Sequence, residues 1–355
     1  MITSVEFENF RGLKHLQLSE LSPITLLTGR NNAGKSSILE GIFLFMDHAA
    51  VESFGKLNAI RGLTNTVNPS SQWEPVFYNL DTTKPLHMHM VLDGKSRDLH
   101  YERDDSFVPA DSKGTIQNSF SQFYAGSRST FTLKYQYKES DYSEDGYFSI
   151  NENGAYRTVN TSLPNNQIRF LPDTRYVNPL TREDLFVAEW LGKLELMGAK
   201  EKIVSILKLI EPDVTDITTI SNQGQIQLYI KLGDQLLPVR LAGDGLNRLL
   251  YFLLLLLVNE NMILLIDEID AGFHYSVLEQ FWGLLASAAK RSNCQIIATT
   301  HSYECIQGAL GGIRAQNLEQ EFCLYRVEKN GDHNRAFRYD TDLARFAVDS
   351  NVEVR

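Results

Sequence analysis

The chain has 355 residues, of which 43% are hydrophobic and 22% are charged. This composition excludes collagen-like, low-complexity and wholly disordered chains. Lysine and arginine number 34 against 44 aspartates and glutamates, a net charge of −10. Such a charge disfavours a general nucleic-acid coat, because the overall field repels a phosphate backbone, although a local basic patch stays compatible with it.

Cysteine usage and hydropathy predict a cytoplasmic protein without a membrane segment. The chain has three cysteines, Cys294, Cys305 and Cys323, which is an odd number, and it has no CxxC motif. We therefore expect reduced, mostly buried thiols. The N-terminal segment shows no basic stretch followed by an apolar run, the pattern of a secretory signal. The longest apolar run, Leu249 to Val258, is about half of the ~20 residues that cross a bilayer, which predicts a buried helix.

A complete phosphate-binding pattern follows the first strand-like run. Residues 24–28 read as a strand, a glycine-containing loop follows, and a helical stretch begins at Lys35. The loop matches G-x-x-x-x-G-K-[ST]: its amides cradle phosphates, its lysine reaches the β/γ oxygens, and its serine, Ser36, ligates Mg²⁺. The predicted ATP-binding residues here are Gly29, Arg30, Asn31, Asn32, Ala33, Gly34, Lys35, Ser36 and Ser37.

Between about residues 70 and 170, aromatic and β-branched residues alternate with polar ones, which predicts antiparallel strands and hairpins. Asp93-Gly94 and Asp145-Gly146 are expected to form turns. The acidic residues at positions 139, 141, 144 and 145 are interpreted as a solvated loop, because their spacing is not that of a calcium-binding hand.

Residues 181–210 carry apolar side chains at the helical period twice over, which predicts two helices with a break near Gly198. A hairpin with a turn near Gly233-Asp234 is expected next. The predicted organisation is one domain, 1–355. Its nucleotide-binding core comprises 1–69 and 215–355, with an inserted β lobe at 70–170 and a helical lid at 180–211.

An acidic pair ends a second apolar strand, Met262 to Ile266. Asp267 suits a water-mediated Mg²⁺ contact, and Glu268 suits polarisation of the water that attacks the γ-phosphate. An acidic pair after a strand is common by itself, and it becomes specific in combination with the phosphate loop. The long separation between Lys35 and Asp267 predicts a large insertion between the two halves of the site.

On these motifs the chain resembles the ABC-type ATPase heads of the SMC and RecF group, and more closely the bacterial stand-alone AAA-family ATPases related to the OLD family. The resemblance implies an α/β fold: an ABC-type P-loop ATPase head with a mixed β-sheet flanked by helices, an inserted antiparallel β lobe and a helical lid. It also implies that Arg11 lies near the nucleotide, and that His301, which follows the strand-like run 295–299, is the switch histidine that contacts the γ-phosphate.

Residues 241–248 stand where the family's signature motif belongs. The resemblance implies that Gly243 and Gly245 grip the γ-phosphate bound to a second chain, so that ATP joins a homodimer. Ala242 replaces the family's serine, which removes one hydroxyl donor and leaves the backbone amides. A hairpin end running into a core helix is the structural alternative for this segment. Gln167 is the candidate for the glutamine that often completes the Mg²⁺ shell, and it could equally be a loop residue.

Together, the motifs and the resemblance imply a Mg²⁺-dependent ATP hydrolase. Lys35 and Ser36 would hold phosphate and metal, Asp267 would position the metal, and the catalytic residues would be Glu268, Lys35 and His301. OLD-family nucleases carry a Toprim domain after the switch histidine, for which we expect too few residues here. We therefore expect a cytoplasmic ATPase that pairs with itself and controls a separate effector, such as a Toprim or HNH nuclease toxin, in anti-phage defence. The alternative is a RecF- or SMC-like clamp ATPase that binds DNA in repair.

Overall fold

The computed structural model describes residues 1–63, 73–104, 129–140, 142–151, 156–162, 171–181, 184–222 and 225–355. Gln167 lies outside these residues. The described residues fall into two compact units. The first unit comprises Met1–Leu21, Asn31–Leu171 and Val327–Ala336, and the second comprises Ser22–Arg30, Pro172–Arg326 and Phe337–Arg355.

The strands and α-helices are numbered in chain order. The strands are β1 (Ile2–Phe10), β2 (Leu13–Ser19), β3 (Ile24–Thr28), β4 (Leu86–Leu92), β5 (Lys95–Arg103), β6 (Ser129–Glu139), β7 (Tyr142–Asn151), β8 (Tyr156–Ser162), β9 (Thr174–Val177), β10 (Val214–Asn222), β11 (Gln225–Leu232), β12 (Gln235–Pro238), β13 (Ile263–Ile266), β14 (Gln295–Thr299), β15 (Phe322–Asn330) and β16 (His333–Asp340). The α-helices are α1 (Lys35–Met46), α2 (Glu52–Ile60), α3 (Asp184–Leu196), α4 (Lys200–Ile210), α5 (Asp244–Val258), α6 (Leu278–Arg291), α7 (Tyr303–Ala315) and α8 (Thr341–Asp349).

An antiparallel sheet forms the first unit. Within its described part, seven strands pair in the order β2-β1-β4-β5-β6-β7-β8. Side chains alternate between the faces of each strand, and one face is buried, with Phe7, Met88 and Tyr101 in the core. Helix α1 packs against this face at Gly41, where a Cβ atom would lie 2.4 Å from the ring of Phe7. The close approach explains why a glycine stands in the middle of this helix.

The lobe boundary that we predicted at residue 70 does not coincide with the edge of this sheet. β1 pairs with β4, so the first two strands belong to the sheet of the predicted inserted lobe. β9, between the predicted lobe and the predicted lid, instead pairs in parallel with β13 of the second unit. Strand partners far apart in the chain leave no local sequence pattern, and the predicted boundaries therefore followed composition alone.

Two predictions within the lobe are wrong. Asp145-Gly146 lies inside β7 rather than in a turn, because Gly146 makes room for the ring of Tyr135, 2.3 Å from where a Cβ would stand. Among the acidic residues that we interpreted as a solvated loop, Glu139 and Glu144 are buried. Glu139 pairs with Arg97 at 3.2 Å, and Glu144 accepts a hydrogen bond from the Tyr135 hydroxyl at 2.7 Å. Asp141 lies outside the described residues.

A mixed sheet lies mainly in the second unit, and its strands pair in the order β16-β15-β3-β14-β13-β9 across the described residues. All ladders from β15 to β9 are parallel. A two-residue connection, Gly331-Asp332, joins β15 to β16, and so short a link permits only antiparallel pairing. The predicted strand at 24–28 is β3, and it occupies the middle of the sheet between β14 and β15.

Helices of the second unit agree with the predicted pattern. The two helices expected between 181 and 210 are α3 and α4, and Gly198, with φ of 66°, stands at the break between them. They pack on β10 and β11, which form a small antiparallel sheet with β12. The apolar run from Leu249 lies in α5, whose residues 249–256 are all buried.

The three cysteines are buried thiols, as expected. Burial raises the pKa of the Cys305 thiol to about 12 and also raises the pKa of Cys294. Among the described residues, no helix combines the length and the apolar character needed to cross a bilayer.

Glu40 on α1 is fully buried and pairs with two arginines. Its Oε2 lies 2.7 Å from Nε of Arg11, in the turn between β1 and β2, and its Oε1 lies 2.7 Å from Nε of Arg61, just after α2. The Arg11 side chain is 7% exposed, whereas that of Arg61 is 42% exposed. The carboxylate therefore joins α1 to the β1–β2 hairpin through a pair that is shielded from water.

We expect Glu40→Ala to lower the free energy of unfolding by about 3–5 kcal/mol, because it leaves the buried Arg11 guanidinium without this carboxylate. Urea denaturation followed by circular dichroism measures the change. Arg61→Ala is the matched control: it removes the exposed partner of the same carboxylate and should cost about 1 kcal/mol or less. Equal losses for the two variants would contradict the assignment of the stability to the Arg11 pair.

Candidate functional site

The phosphate loop connects β3 to α1, and its backbone explains its glycines. Gly29 and Gly34 have φ of 136° and 105°, and Asn32 has φ of 64°. A Cβ atom on Gly34 would lie 2.5 Å from Cδ2 of Leu13. Both the left-handed backbone and the available space therefore require glycine at the position just before Lys35.

The start of α1 fits a bound polyphosphate. Within the described residues, no side chain caps this helix and its first turn carries no acidic residue. Lys35 is 4% exposed and lies in that first turn. The partial positive charge of a helix N-terminus and a buried ammonium together favour an anion. Asn334 holds the loop by donating from Nδ2 to the carbonyl of Ala33 at 3.1 Å.

In the second unit, the acidic pair follows β13 directly, and hydroxyl groups hold its aspartate. The Tyr176 hydroxyl donates to Oδ2 of Asp267 at 3.1 Å, and the Thr299 hydroxyl donates to Oδ1 at 2.5 Å. The same Thr299 oxygen accepts a hydrogen bond from the backbone amide of Glu268 at 2.9 Å. Asp267 thus presents a fixed, hard carboxylate, the ligand type that Mg²⁺ takes, and the hydroxyl of Ser36 at the start of α1 is of the same type.

Glu268 has a different environment from its neighbour. Its side chain is exposed, and its backbone adopts φ of 49°, a conformation that L residues other than Asn and Asp rarely take. The guanidinium of Arg248, on α5, donates to the carbonyl of Glu268 at 3.1 Å. The backbone of Glu268 is thus held at its amide by Thr299 and at its carbonyl by Arg248, while its carboxylate faces outwards, where it can reach a water molecule.

The segment after β14 is tied to the acidic pair by hydrogen bonds. Ile269 donates its amide to the carbonyl of Thr299 at 3.0 Å, and the Thr300 hydroxyl donates to Asp270 at 2.6 Å. His301 follows immediately and is exposed. Ser302 caps α7, because its hydroxyl accepts a hydrogen bond from the Cys305 amide at 3.0 Å. His301 therefore stands on a short connection whose two ends are both fixed.

The predicted signature segment forms the N-terminus of α5. Gly243 precedes the helix with φ of 108° and is exposed. A Cβ atom on Gly245 would lie 2.5 Å from the carbonyl oxygen of Gly272, and one on Gly272 would lie 3.1 Å from Cβ of Asp244. The start of α5 is thus packed backbone to backbone on the segment that follows the acidic pair. A small pocket of about 80 Å³ lies here, lined by Pro179, Asp244, Asn247, Arg248, Ala271 and Gly272.

The predicted site residues divide between the two units. Gly29, Arg30, Gly243, Gly245, Asp267, Glu268 and His301 belong to the second unit, and Arg11, Asn31, Asn32, Ala33, Gly34, Lys35, Ser36 and Ser37 belong to the first. Arg11 contacts Glu40 and the carbonyl of Pro75, so its place beside a nucleotide stays a prediction. Sequence reasoning assigned no role to Tyr176, Thr299 or Asn334. Of these, only Thr299 carried a signal, because it directly precedes Thr300-His301 at a strand end.

Comparison with known proteins decides the family. The chain matches, over residues 24–306, the family described as "AAA domain, putative AbiEii toxin, Type IV TA system". The chain belongs to this AAA family. An ATP/GTP phosphatase of Helicobacter pylori is 23% identical to this AAA protein over 352 residues, which cover 91% of the present chain and 92% of the relative.

Solved structures show the same fold. An SMC head bound to the C-winged helix domain of ScpA aligns with a TM-score of 0.52 and 16% identity over 96% of this chain and 98% of that one. An SMC head with an extended coiled coil, bound to the C-terminal domain of ScpA derived from Pyrococcus furiosus, aligns with a TM-score of 0.51. The sequence identity is 10%, and the alignment covers 99% of each chain. The predicted fold, an ABC-type P-loop ATPase head, is confirmed, and the chain is a P-loop ATPase of the AAA/ABC type.

The hydrogen bonds to Asp267 predict the effect of removing their donors. Thr299→Val keeps the side-chain volume and should lower kcat at least tenfold, because a hydrogen bond to a charged group contributes about 1.5–3 kcal/mol. Tyr176→Phe should raise the Mg²⁺ concentration needed for half-maximal activity. Phosphate release over a Mg²⁺ titration measures both effects.

Tyr303→Phe is the control for these variants, since its hydroxyl donates to the carbonyl of Val348 and not to Asp267. If Tyr176→Phe and Tyr303→Phe both retained the parental Mg²⁺ requirement, the role of Tyr176 in holding Asp267 would be refuted.

Proposed function

We propose that this ATPase is Mg²⁺-dependent and that ATP joins two of its chains head to head, so that hydrolysis controls a separate effector. The observation that carries the proposal is the parallel register of three neighbouring strands. Leu26 on β3 pairs with Ala298 on β14, which pairs with Ile266 on β13. The strands therefore end together, and the start of the phosphate loop, His301 and the acidic pair follow at one edge of the second unit's sheet.

Each residue has a defined task in the proposed reaction. The loop amides and the Lys35 ammonium bind and orient the phosphates, and Asp267 and Ser36 would hold the metal. Mg²⁺, when bound, neutralises phosphate charge and orients the oxygens. Glu268 orients the attacking water and accepts its proton, and His301 contacts the γ-phosphate. Most of the acceleration then comes from positioning and charge stabilisation.

The exposed signature segment supports pairing between chains. Gly243 and the N-terminus of α5 face outwards, and the neighbouring Leu241 side chain is 72% exposed. The contact between Gly245 and Gly272 shows that the first of these glycines serves packing within its own chain. Among the predicted signature residues, Gly243 is accordingly the one that we assign to the γ-phosphate of a second chain. Ala242, which stands in place of the family's serine, provides no hydroxyl donor. The N-terminus of α5 would therefore bind the γ-phosphate through its backbone amides.

Effector control is supported by charge and by family. The net charge of −10 suits a protein partner better than a phosphate backbone. The family description names a toxin of a toxin–antitoxin system, which fits a role in holding and releasing a toxic effector in anti-phage defence. The ATP/GTP phosphatase name of the Helicobacter pylori relative supports hydrolysis rather than binding alone.

A DNA clamp is the second candidate, and one observation favours it. Arg338, Arg355 and the aromatic Phe346 are exposed in the C-terminal part of the chain, and side chains of these types suit a nucleic-acid backbone and its bases. Clamp function predicts binding to duplex DNA that weakens steeply between 50 and about 200 mM salt, measured by fluorescence anisotropy. Salt-insensitive or absent binding would leave effector control as the function.

Glu268→Gln tests the catalytic assignment and the dimer together. The amide retains the shape of the side chain but cannot accept the proton, so we expect phosphate release to fall at least a hundredfold. ATP would then stay bound, and light scattering should show a dimer that persists with ATP and Mg²⁺.

Glu260→Gln is the matched control, because Glu260 is an exposed acid in the loop before β13. It should hydrolyse ATP at the parental rate and should not accumulate a dimer. Parental hydrolysis by Glu268→Gln would refute the base assignment, and a monomer with trapped ATP would refute head-to-head pairing.

A further inference from the structure

The open face of the first unit's sheet carries an unusual concentration of imidazole and carboxylate groups. Four of the chain's eight histidines lie on its strands: His15 on β2, His87 and His89 on β4, and His100 on β5. They alternate along the strands with buried residues of the opposite face, and each is at least partly exposed. The nucleotide chemistry uses none of these side chains.

Strand register brings these groups into line with acidic residues. Glu8 on β1 pairs directly with His15 on one side and with His87 on the other. Glu6, two residues earlier on the same face, pairs with His89. Directly paired side chains on one face of an antiparallel sheet have Cβ atoms about 5 Å apart. The three strands β2, β1 and β4 thus present a compact group of oxygen and nitrogen donors.

The distances within the group are those of potential ligands to one ion. Nε2 of His15 lies 2.8 Å from Oε1 of Glu6, and the ligand atoms of Glu6, Glu8 and His15 all lie within 4.8 Å of one another. Nδ1 of His87 lies 3.7 Å from Oε2 of Glu8. Two donors at about 2 Å from a tetrahedral ion are roughly 3.3 Å apart. Small side-chain movements therefore suffice for Glu6, Glu8 and His15, whereas His87 lies outside this 4.8 Å group and reaches the ion as a fourth ligand by turning further towards Glu8.

A neighbouring carboxylate, Asp98, supplies a further indication. His87 turns its other nitrogen, Nε2, towards Oδ1 of Asp98 at 3.2 Å. A proton held on Nε2 by this carboxylate leaves the lone pair on Nδ1, the nitrogen that faces Glu8. Carboxylate groups hold metal-ligating histidines in this way and fix the tautomer. Asp98 in turn is held by His89, whose Nδ1 lies 2.9 Å from the same oxygen.

We propose that Glu6, Glu8, His15 and His87 bind a divalent transition-metal ion of the Zn²⁺ type, separate from the nucleotide site. Two imidazoles and two carboxylates favour Zn²⁺ over Mg²⁺ or Ca²⁺, which take oxygen ligands. The four side chains are between 26% and 58% exposed, so the ion enters directly from solvent.

The position of the group gives the ion a structural consequence. It would clip β1 to both of its neighbours, and the β1–β2 hairpin leads to Leu13, whose side chain touches Gly34 of the phosphate loop. Lys329 also donates to the carbonyl of Gly12, at the tip of this hairpin, at 3.4 Å. The ion therefore stabilises the support of the loop without contacting a nucleotide.

The test is isothermal titration of the metal-free full chain with Zn²⁺ alone, in excess Mg²⁺ and without nucleotide. We expect one ion per chain with micromolar or tighter affinity, together with a higher Tm when Zn²⁺ is present. Glu8→Gln and His87→Ala should each weaken binding more than tenfold. Asp98→Asn, which leaves all four ligands in place, should weaken it about 10- to 100-fold.

His333→Ala is the control, because it removes an exposed histidine on β16 that lies outside the group. It should bind Zn²⁺ as the parent does. No binding by the parent, or equal affinity in Glu8→Gln and His333→Ala, would overturn the proposal. Because the titration involves no ATP, its result is independent of the proposed catalytic roles.

Discussion

Parallel pairing through β3, β14 and β13 determines which side chains can act together in the second unit. Parallel strands end at the same edge of a sheet, so the loop after each strand starts beside the others. Thr299 uses this proximity: its hydroxyl bridges the Asp267 carboxylate and the Glu268 amide. The acid that would hold the metal and the acid that would act on water are thereby set by one side chain of the neighbouring strand.

Contacts of the same kind extend to the signature segment. The backbone contact between Gly245 and Gly272 links the start of α5 to the segment after the acidic pair, and Arg248 adds a hydrogen bond to Glu268. Thr300, which directly precedes His301, links that segment to the connection after β14 by its hydrogen bond to Asp270. A shift at any one of these loops is therefore transmitted to the others through the backbone.

Sequence reasoning succeeded where the signal is local. The phosphate loop, the strands at 24–28 and 263–266, and the helices on either side of Gly198 all followed from spacing and hydropathy within short windows. It failed where partners are distant. Tyr176 precedes Asp267 by 91 residues and meets it only because β9 pairs with β13. Asp145-Gly146 has the composition of a turn, yet the bulk of Tyr135 on the neighbouring strand requires a glycine there.

The central position of β3 has a consequence for biosynthesis. Thr25 on β3 and Cys323 on β15 are neighbours in the sheet and 298 residues apart in the chain. A ribosome therefore releases this apolar strand, and the loop after it, long before either neighbouring strand exists. Until β14 and β15 emerge, both edges of β3 lack their hydrogen-bond partners, a state that invites aggregation and chaperone binding. Nucleotide binding is accordingly a property that the nascent chain acquires only after β14 and β15 have been synthesised.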